Sequence, residues 1–333
     1  MSINLNQISS SQFAETQASN INANFTTLKN AVESIPSSGG GGDSGEIVYP
    51  DNDMPKVGTF WVNNQNPSVA YQTKYKVLAI GNSFTQYPNY PFGAIAEMLG
   101  VSKSYNFQTY GNTGAPLASV AKSIRYNSGG AVGAHLHFGD GDNGTGAGYH
   151  SLLEVEWDII VFQQASDYAA DYSSYTPFLG GIANAARSLC ANPTAKIGFQ
   201  MIWDKKHGKS TTERAEILEN ARRARTELGI DLIVPTGTAF ENAWANSPSK
   251  ISLDASGHPN NAFAQYLGAA TWYQSLFSEY TGIDIDDVTP SAEISWTGQS
   301  STTLTISVAD AVLAAKCAKA ACNDMWNVTT NIS

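Results

Sequence analysis

Short apolar segments alternate with stretches of helical periodicity along most of this chain, and this alternation constrains the fold more than any other feature. Strands are predicted at Lys76–Ile80, Tyr105–Tyr110, Asp158–Gln163, Lys196–Ile202 and Asp231–Pro235. Helices are predicted at Phe92–Leu99, Leu117–Tyr126, Phe178–Leu189, Thr211–Leu228, Asn261–Phe277 and Ala309–Trp326. Such alternation is typical of a parallel sheet that is covered by helices on both faces. The predicted class is therefore α/β, with about five parallel strands.

Residues that can carry chemistry follow three of these strands. Ser83 lies in the turn after the first strand, Gly111 follows the second, and Gln163 and Gln164 close the third. Ligands of parallel sheets bind outside the carboxyl ends of the strands. We therefore expect Ser83, Gly111 and Gln164 to share one site.

A serine hydroxyl becomes a useful nucleophile only when a base removes its proton. His258 is the histidine that has a near-adjacent carboxylate, Asp254, and also precedes a strongly predicted helix. By itself the turn around Ser83 is a common one, and His258 alone could be a capping or core residue. Together, the residues predict Ser83 as nucleophile, His258 as base and Asp254 as the group that orients the base.

Four segments resemble, in order, the motif blocks of the SGNH (GDSL-type) hydrolases, in the branch with Gly-Asn-Ser-Phe. They are Gly81-Asn82-Ser83-Phe84-Thr85, Gly111-Asn112-Thr113-Gly114, Asp158 to Ser166, and Asp254 to His258, which span about Lys74 to Tyr280. The resemblance implies a flavodoxin-like three-layer α/β/α sandwich and an oxyanion hole formed by Ser83, Gly111 and a side-chain amide. It also implies action on acyl esters, lipids or acetylated sugars without a cofactor.

Two details depart from the family pattern. The family places Asp three residues before His, whereas here Ala255 stands at that position and Asp254 lies one residue earlier. Either the turn carries an extra residue and Asp254 still reaches His258, or a backbone carbonyl orients the histidine of a Ser–His dyad. The family's Asn is replaced by Gln163 and Gln164, which would point to opposite faces of a strand. We expect Gln164, nearer the carboxyl end, to donate to the oxyanion, with Gln163 as the alternative.

Other residues permit more than one interpretation. His135, His137, Asp140 and Asp142 share a glycine-rich loop and could bind a metal ion. Such loops are more often solvated insertions, so we predict no metal and expect this loop to border the substrate cleft. Trp203 and Tyr168 follow predicted strands and are predicted to stack on a sugar substrate, although core packing would explain them nearly as well.

The N-terminal residues differ in composition from the rest. Residues 1–45 contain a heptad-like stripe followed by a glycine tether, the stripe being Ala14, Ala18, Ile21, Phe25, Leu28, Val32 and Ile35. Residues 46–74 are predicted to form a small β hairpin, and residues 75–333 the hydrolase domain. The stripe favours a homo-oligomer, most simply a trimer, or else a helix packed on its own domain. Loosely, this arrangement resembles the attachment ends of bacteriophage tail fibres and tailspikes.

Charge and hydropathy limit the partners. The formal net charge of -10 argues against nucleic acid. There is no apolar run of roughly 18 residues that would insert into a membrane. The N-terminus lacks the pattern of a secretory signal, so we expect a virion (phage tail) protein or another outward-facing one. The expected substrate is an acylated carbohydrate, with other virion tail proteins as further partners. The rival hypothesis is a carbohydrate- or receptor-binding tail protein with a degenerate hydrolase fold.

Overall fold

The computed structural model describes residues 75–102, 105–111, 117, 120, 153–205, 211–298 and 301–332. All of them belong to one compact unit, Ala70–Ser333. The predicted N-terminal helix, tether and hairpin, and the loop with His135 and His137, lie outside the described residues.

Five parallel strands form the central sheet of the described residues. Their order is β2-β1-β3-β4-β5, which is the flavodoxin-like arrangement. The strands are β1 (Tyr75–Gly81), β2 (Tyr105–Gly111), β3 (Ile159–Gln163), β4 (Lys196–Gln200) and β5 (Leu232–Val234). The structure therefore confirms the predicted α/β class and the parallel sheet.

Burial along the strands explains why they form the centre of the fold. Every residue of β3 is buried, as are the last five residues of β1. Continuous burial requires cover on both faces of a sheet, which helices supply here. The helices are α1 (Ser83–Gln86), α2 (Phe92–Met98), α3 (Phe178–Leu189), α4 (Thr211–Glu227), α5 (Thr236–Asn246), α6 (Ala262–Leu276), α7 (Ser278–Thr281) and α8 (Val308–Asn323).

Besides the one-turn helices α1 and α7, the sequence did not predict helix α5 or a pair of antiparallel strands. Helix α5 contains threonine and glycine, which are poor helix formers, and its first eight residues are buried. Tertiary packing therefore overrides its weak local preference. An antiparallel pair, β6 (Ile294–Thr297) and β7 (Thr303–Ile306), lies between α7 and α8 in the chain. Trp296 is buried and donates its indole N–H to Gln265 Oε1 at 3.0 Å, which fixes this hairpin on α6.

Among the described residues, no helix has both the length and the hydropathy that crossing a membrane would require. Most of the predicted helix Leu117–Tyr126 lies outside the described residues. The predicted strands, and the predicted helices other than Leu117–Tyr126, agree with the structure to within a few residues at their ends. Asp158, for example, was predicted to begin the third strand. Its carboxylate instead accepts the backbone N–H of Lys76 at 2.7 Å, and β3 begins at the next residue.

Candidate active site

The turn between β1 and α1 presents Ser83 at the carboxyl edge of the sheet. Asn82 caps α1, because its side-chain oxygen accepts the backbone N–H of Phe84 at 2.9 Å. Gly81 is required just before this cap, since a Cβ there would lie 2.8 Å from Gln163 Oε1 and closer still to Thr85 Oγ1. The local sequence thus combines a glycine that permits close packing with a residue type favoured at helix N-caps.

The structure brings Ser83, His258 and Asp254 together. Ser83 Oγ lies 2.7 Å from His258 Nε2, and His258 Nδ1 lies 3.2 Å from Asp254 Oδ2. The imidazole also packs against the rings of Phe84 and Tyr87, with centroid separations of 5.0 and 4.6 Å. Both aromatic residues belong to the segment that begins at Ser83, so one short stretch of chain supplies the hydroxyl and restrains the ring beside it.

The turn from Asp254 to His258 accommodates the extra residue noted in the sequence. Asp254 Oδ1 accepts the backbone N–H groups of Ser256 at 2.8 Å and of His258 at 2.9 Å. The Asp254 backbone N–H in turn donates to the His258 carbonyl at 2.9 Å. The longer spacing is therefore absorbed by a closed turn, and Asp254 still reaches the imidazole. The geometry matches the first of the two alternatives considered above.

Gly257, within this turn, and Trp203, which bonds it, stabilise the conformation of the turn. Gly257 has φ +86°, a left-handed conformation that favours glycine. A Cβ at Gly257 would also lie 2.9 Å from Lys205 Cα. Trp203 Nε1 donates to the Gly257 carbonyl at 2.9 Å. The turn thus depends on glycine for its conformation and on a buried indole for its position.

Electrostatic effects favour the charged form of the Asp254 carboxylate. Burial opposes ionisation of Asp254, but hydrogen bonds from the backbones of His258 and Ser256 and from the His258 ring outweigh it, so the pKa of Asp254 is lowered. Burial, followed by the charge of Asp254, raises the pKa of Tyr87. At neutral pH Asp254 is therefore a carboxylate and Tyr87 a protonated phenol.

Gly111 lies at the same edge of the sheet as the turn that carries Ser83. It ends β2 and pairs in register with Gly81 of β1, two residues before Ser83. The carboxyl ends of the two adjacent strands thus place the Gly111 and Ser83 backbones at the same edge of the sheet.

The side-chain oxyanion donor expected from the sequence is engaged elsewhere. Gln164 Nε2 donates to the Ser174 carbonyl at 3.0 Å and to its hydroxyl at 2.8 Å. Gln164 Oε1 accepts the backbone N–H groups of Leu117 and Ala165 at 3.0 and 2.8 Å. This arrangement disagrees with our expectation for Gln164. The residue lies just beyond the end of β3, where its side chain bonds Leu117, Ala165 and Ser174.

Gln163, the alternative, bonds the turn that carries Ser83. Its Oε1 accepts the backbone N–H of Asn82 at 3.0 Å, and its Nε2 donates to the Gln164 carbonyl. Thr85 Oγ1 donates to Gln200 Oε1 at 2.7 Å, and Gln200 Nε2 donates to the Phe84 carbonyl at 3.1 Å. Two buried glutamines thus hold the backbone on either side of Ser83. Their role is positional, since each bonds the turn itself.

The two aromatic residues predicted to contact substrate have different environments. Trp203 is only 1% exposed and stacks on Phe84 and Phe240, with centroids 4.9 and 4.4 Å away. It cannot stack on a sugar without unpacking the core, so the expectation for Trp203 is corrected to a supporting role. Tyr168 is 45% exposed and remains accessible at the carboxyl side of β3.

Sequence reasoning missed the supporting roles of Gly257, Tyr87 and Gln200. The Ser256-Gly257 pair is a recognisable turn signal that could have identified the first of them. Tyr87 lies four residues after Ser83, a spacing that places two residues on one side of a helical segment. No local pattern points to Gln200, which reaches the turn only because β3 and β4 pair in the sheet.

One acidic cluster could in principle bind a cation. Among the described residues, the carboxylates of Asp284, Asp286 and Asp287 lie close together. Lys319 Nζ, however, lies 3.0 Å from Asp284 Oδ2 and 2.6 Å from Asp286 Oδ1. This ammonium group already supplies positive charge to the cluster.

Comparison with known proteins places this site in a family context. The profile of the family described as "Domain of unknown function (DUF4886)" matches residues 76–285, and these residues include Ser83, Asp254 and His258. No curated protein matches the chain. A DUF4886 family protein from Bacteroides uniformis ATCC 8492 has a similar fold, with 20% identity and a TM-score of 0.58. The match covers 78% of this chain and 98% of that one.

Two further solved structures are less similar. A member of the lipolytic protein G-D-S-L family from Veillonella parvula DSM 2008 is 16% identical, with a TM-score of 0.40, over 61% of this chain and 98% of that one. An acetyl xylan esterase from Geobacillus stearothermophilus is 14% identical, with a TM-score of 0.40, over 61% of this chain and 94% of that one.

Proposed function

The chain belongs to the DUF4886 family, and we propose that it is a serine esterase of the SGNH type. Ser83 is the nucleophile, His258 the general base and Asp254 the group that orients His258. The observation that carries the proposal is the continuous chain of hydrogen-bonding distances, 2.7 Å from Ser83 to His258 and 3.2 Å from His258 to Asp254. A hydroxyl within hydrogen-bonding reach of a base that is itself oriented by a third group is the arrangement that nucleophilic catalysis needs.

In the first half of the reaction, His258 Nε2 removes the Ser83 proton while Ser83 Oγ attacks the ester carbonyl carbon. The resulting oxyanion accepts hydrogen bonds from the backbone N–H groups of Ser83 and Gly111. Removal of one such donor typically costs about 3 kcal/mol in barrier. The carbon–oxygen bond to the alcohol then breaks, His258 gives its proton to the departing oxygen, and the acyl group stays on Ser83.

In the second half, a water molecule attacks the acyl carbon while His258 accepts one of its protons. The bond between the carbon and Ser83 Oγ then breaks, and His258 returns the proton to Ser83. The products are the carboxylic acid and the regenerated enzyme. Asp254 stabilises the imidazolium that forms in each half without taking up a proton.

Acetylated surface or capsular polysaccharide is the proposed substrate class. An acetyl group requires little space beside Ser83, so most of the recognition would fall on the alcohol portion. The composition, which is low in charge and rich in glycine, serine, threonine and asparagine, also fits an outward-facing protein better than one in the cytosol. The exposed ring of Tyr168 is a candidate contact for such a glycan.

The nucleophile can be tested by covalent labelling. A fluorophosphonate probe should label the wild-type protein at Ser83, and Ser83→Ala should lose both labelling and hydrolysis of p-nitrophenyl acetate. His258→Ala should suppress labelling as well, because the serine then lacks its base. Ser166→Ala is the matched control, since Ser166 follows β3 at the same edge of the sheet. Activity that survives Ser83→Ala but is lost in Ser166→Ala would contradict the assignment.

The rival function is a carbohydrate- or receptor-binding tail protein that keeps only the fold of a hydrolase. That idea drew its support from the unusual spacing of Asp254 and His258. The closed turn still joins Asp254 to the imidazole, so the spacing no longer favours a degenerate site. It would regain support if the purified chain hydrolysed no ester while still binding a glycan.

We propose the assembly from the stripe within residues 1–45, and the location from the loose resemblance of about the first 75 residues to phage tail fibres and tailspikes. We expect a homo-oligomer, most simply a trimer, presented on a virion tail with other tail proteins as neighbours. Deletion of residues 1–42 should yield a monomer that keeps its esterase activity. Equal masses for the two proteins in light scattering would contradict the trimer.

A further inference from the structure

A cavity of about 260 Å³ opens beside the Asp254–His258 pair. Tyr87 forms one wall next to these two residues. The volume of the cavity is a little below the roughly 300–1,000 Å³ of pockets that hold drug-sized ligands. The space therefore suits a single ring better than a long chain.

The rest of the lining comes from Gln265 of α6 and from two further segments. Pro259 and Asn260 continue the chain after His258, while Thr302 and Leu304 belong to the β6–β7 hairpin. That hairpin lies beyond residues 76–285, the part that matches the family profile. An element outside the matched domain thus contributes to a cavity that is also lined by Asp254 and His258.

The direction of proton transfer indicates which part of an ester would occupy this cavity. His258 Nε2 must deliver a proton to the departing alcohol oxygen, so that oxygen has to lie within hydrogen-bonding reach of the ring. The alcohol portion therefore extends past His258. His258 itself lines the cavity, so among the described residues this is a space beside the imidazole that could receive the alcohol.

The lining also indicates the chemistry of the ligand. Asn260 and Thr302 are exposed polar residues at the rim, and Leu304 and Pro259 offer apolar surface. Mixed lining of this kind suits a polyhydroxylated ring, which has polar edges and apolar faces. Among the described lining residues there is no lysine or arginine, and Asp254 brings a negative charge. An anionic sugar would be repelled.

We propose that this cavity is the subsite for the alcohol portion of the substrate, and that it accepts one uncharged sugar ring, with the β6–β7 hairpin determining specificity. The assignment rests on the proposed esterase function, because the alcohol portion is defined by the reaction. Thr302 and Leu304 of the hairpin lie outside the part that matches the family profile, so this side of the subsite is a feature of this chain and not of the matched domain. Binding of the free sugar, however, can be measured without any reaction.

Leu304→Trp is the direct test by catalysis, because the larger side chain would fill the cavity. The first substrate is a mixture of mono-O-acetyl methyl glucosides. The second is vinyl acetate, whose alcohol portion is too small to need the subsite. The ratio of kcat/KM for the glucosides to kcat/KM for vinyl acetate should fall about tenfold or more. Thr303→Trp is the matched control, since Thr303 is exposed and adjacent residues of a strand point to opposite faces. Its ratio should equal that of the wild type.

Asn260→Trp fills the cavity from an exposed position and provides a second variant if Leu304→Trp does not fold. The same fall in the ratio is expected. An unchanged ratio in a folded variant would overturn the subsite while leaving the esterase function intact. A wild-type protein that hydrolyses neither substrate would instead count against the esterase function, and the binding experiment would then decide the subsite.

Binding is measured on the Ser83→Ala protein, which cannot turn over an ester. Methyl glucoside should give saturation-transfer NMR signals with Ser83→Ala and lose them when Leu304→Trp is added. Glucuronate should give much weaker signals. Signals that persist in the double variant, or no signals in either protein, would overturn the subsite. Equal signals from glucuronate would overturn the preference for an uncharged ring.

Discussion

Asp254 and His258 are joined by three hydrogen bonds although they stand four positions apart in the chain. Asp254 accepts from both the backbone and the ring of His258, and its own backbone N–H donates to the His258 carbonyl. The carboxylate therefore holds the turn and the imidazole at once. Loss of the charge should affect catalysis more than folding, since the backbone bond from Asp254 to His258 does not involve the side chain.

We expect Asp254→Asn to lower kcat by about 10⁴-fold, as replacement of the orienting carboxylate does in other triads through loss of the correct tautomer. Steady-state hydrolysis of p-nitrophenyl acetate measures the effect. Circular dichroism of the variant should match that of the wild type. A loss smaller than about tenfold would favour a Ser–His dyad oriented by a backbone carbonyl.

The lowered pKa of Asp254 also predicts how stability depends on pH. A carboxyl group whose pKa is lower in the folded state contributes stability above its ordinary value of 3.8 and loses it as the pH falls through the folded value. The difference in Tm between wild type and Asp254→Asn should be constant near neutral pH and should shrink only below about pH 4. A difference that already declines between about pH 7 and pH 5 would contradict the lowered pKa.

Gly257→Ala should destabilise the protein and reduce kcat. The left-handed backbone alone costs a residue other than glycine roughly 1–2 kcal/mol, and a Cβ would also collide with Lys205. Gly282→Ala is the matched control, because Gly282 has φ +69° and a methyl group added there would meet no atom within 4 Å. Chemical denaturation should show the larger loss for Gly257→Ala. Equal losses, with kcat unchanged, would mean that contact with Lys205 does not restrain the turn.

Gln163→Leu should reduce kcat as well as stability. Removal of its carboxamide leaves the buried N–H of Asn82 without an acceptor, at a cost of about 1–3 kcal/mol, and the nucleophile turn loses its support. Gln274→Leu provides the comparison, since Gln274 Oε1 accepts the backbone N–H of Ile285 at 2.8 Å in another part of the fold. Both variants should unfold at lower denaturant concentration. If both keep the wild-type kcat, Gln163 does not position Ser83.

Trp203→Phe separates a supporting role from substrate binding. The variant keeps an aromatic ring between Phe84 and Phe240 but removes the hydrogen bond to the Gly257 carbonyl. We expect kcat to fall severalfold, with little change in KM for an acetylated glycoside. Trp272→Phe is the control, because this buried indole N–H has no partner among the described residues. A large rise in KM for Trp203→Phe, without one for Trp272→Phe, would support the original prediction that Trp203 contacts the substrate.

Much of this protein follows from patterns that are local in the sequence. Short apolar runs predict the strands, and apolar residues at helical spacing predict the helices. Both patterns follow from the local geometry of the backbone. The carboxyl ends of parallel strands share one edge, so the common location of Ser83 and Gly111 could also be predicted. Helix α5 escaped prediction because packing, and not propensity, stabilises it.

The direction of individual side chains, by contrast, depends on the tertiary structure. Gln163 and Gln164 are adjacent, yet one supports the nucleophile turn and the other bonds Ser174, because β3 ends between them and strand alternation no longer applies. Trp203 follows a strand, as a substrate contact would, but the packing of Phe84 and Phe240 encloses it. Local patterns were thus sufficient for the fold class and for the residues able to form a triad. The contacts of those residues involve groups far apart in the chain, and only the folded structure brings them together.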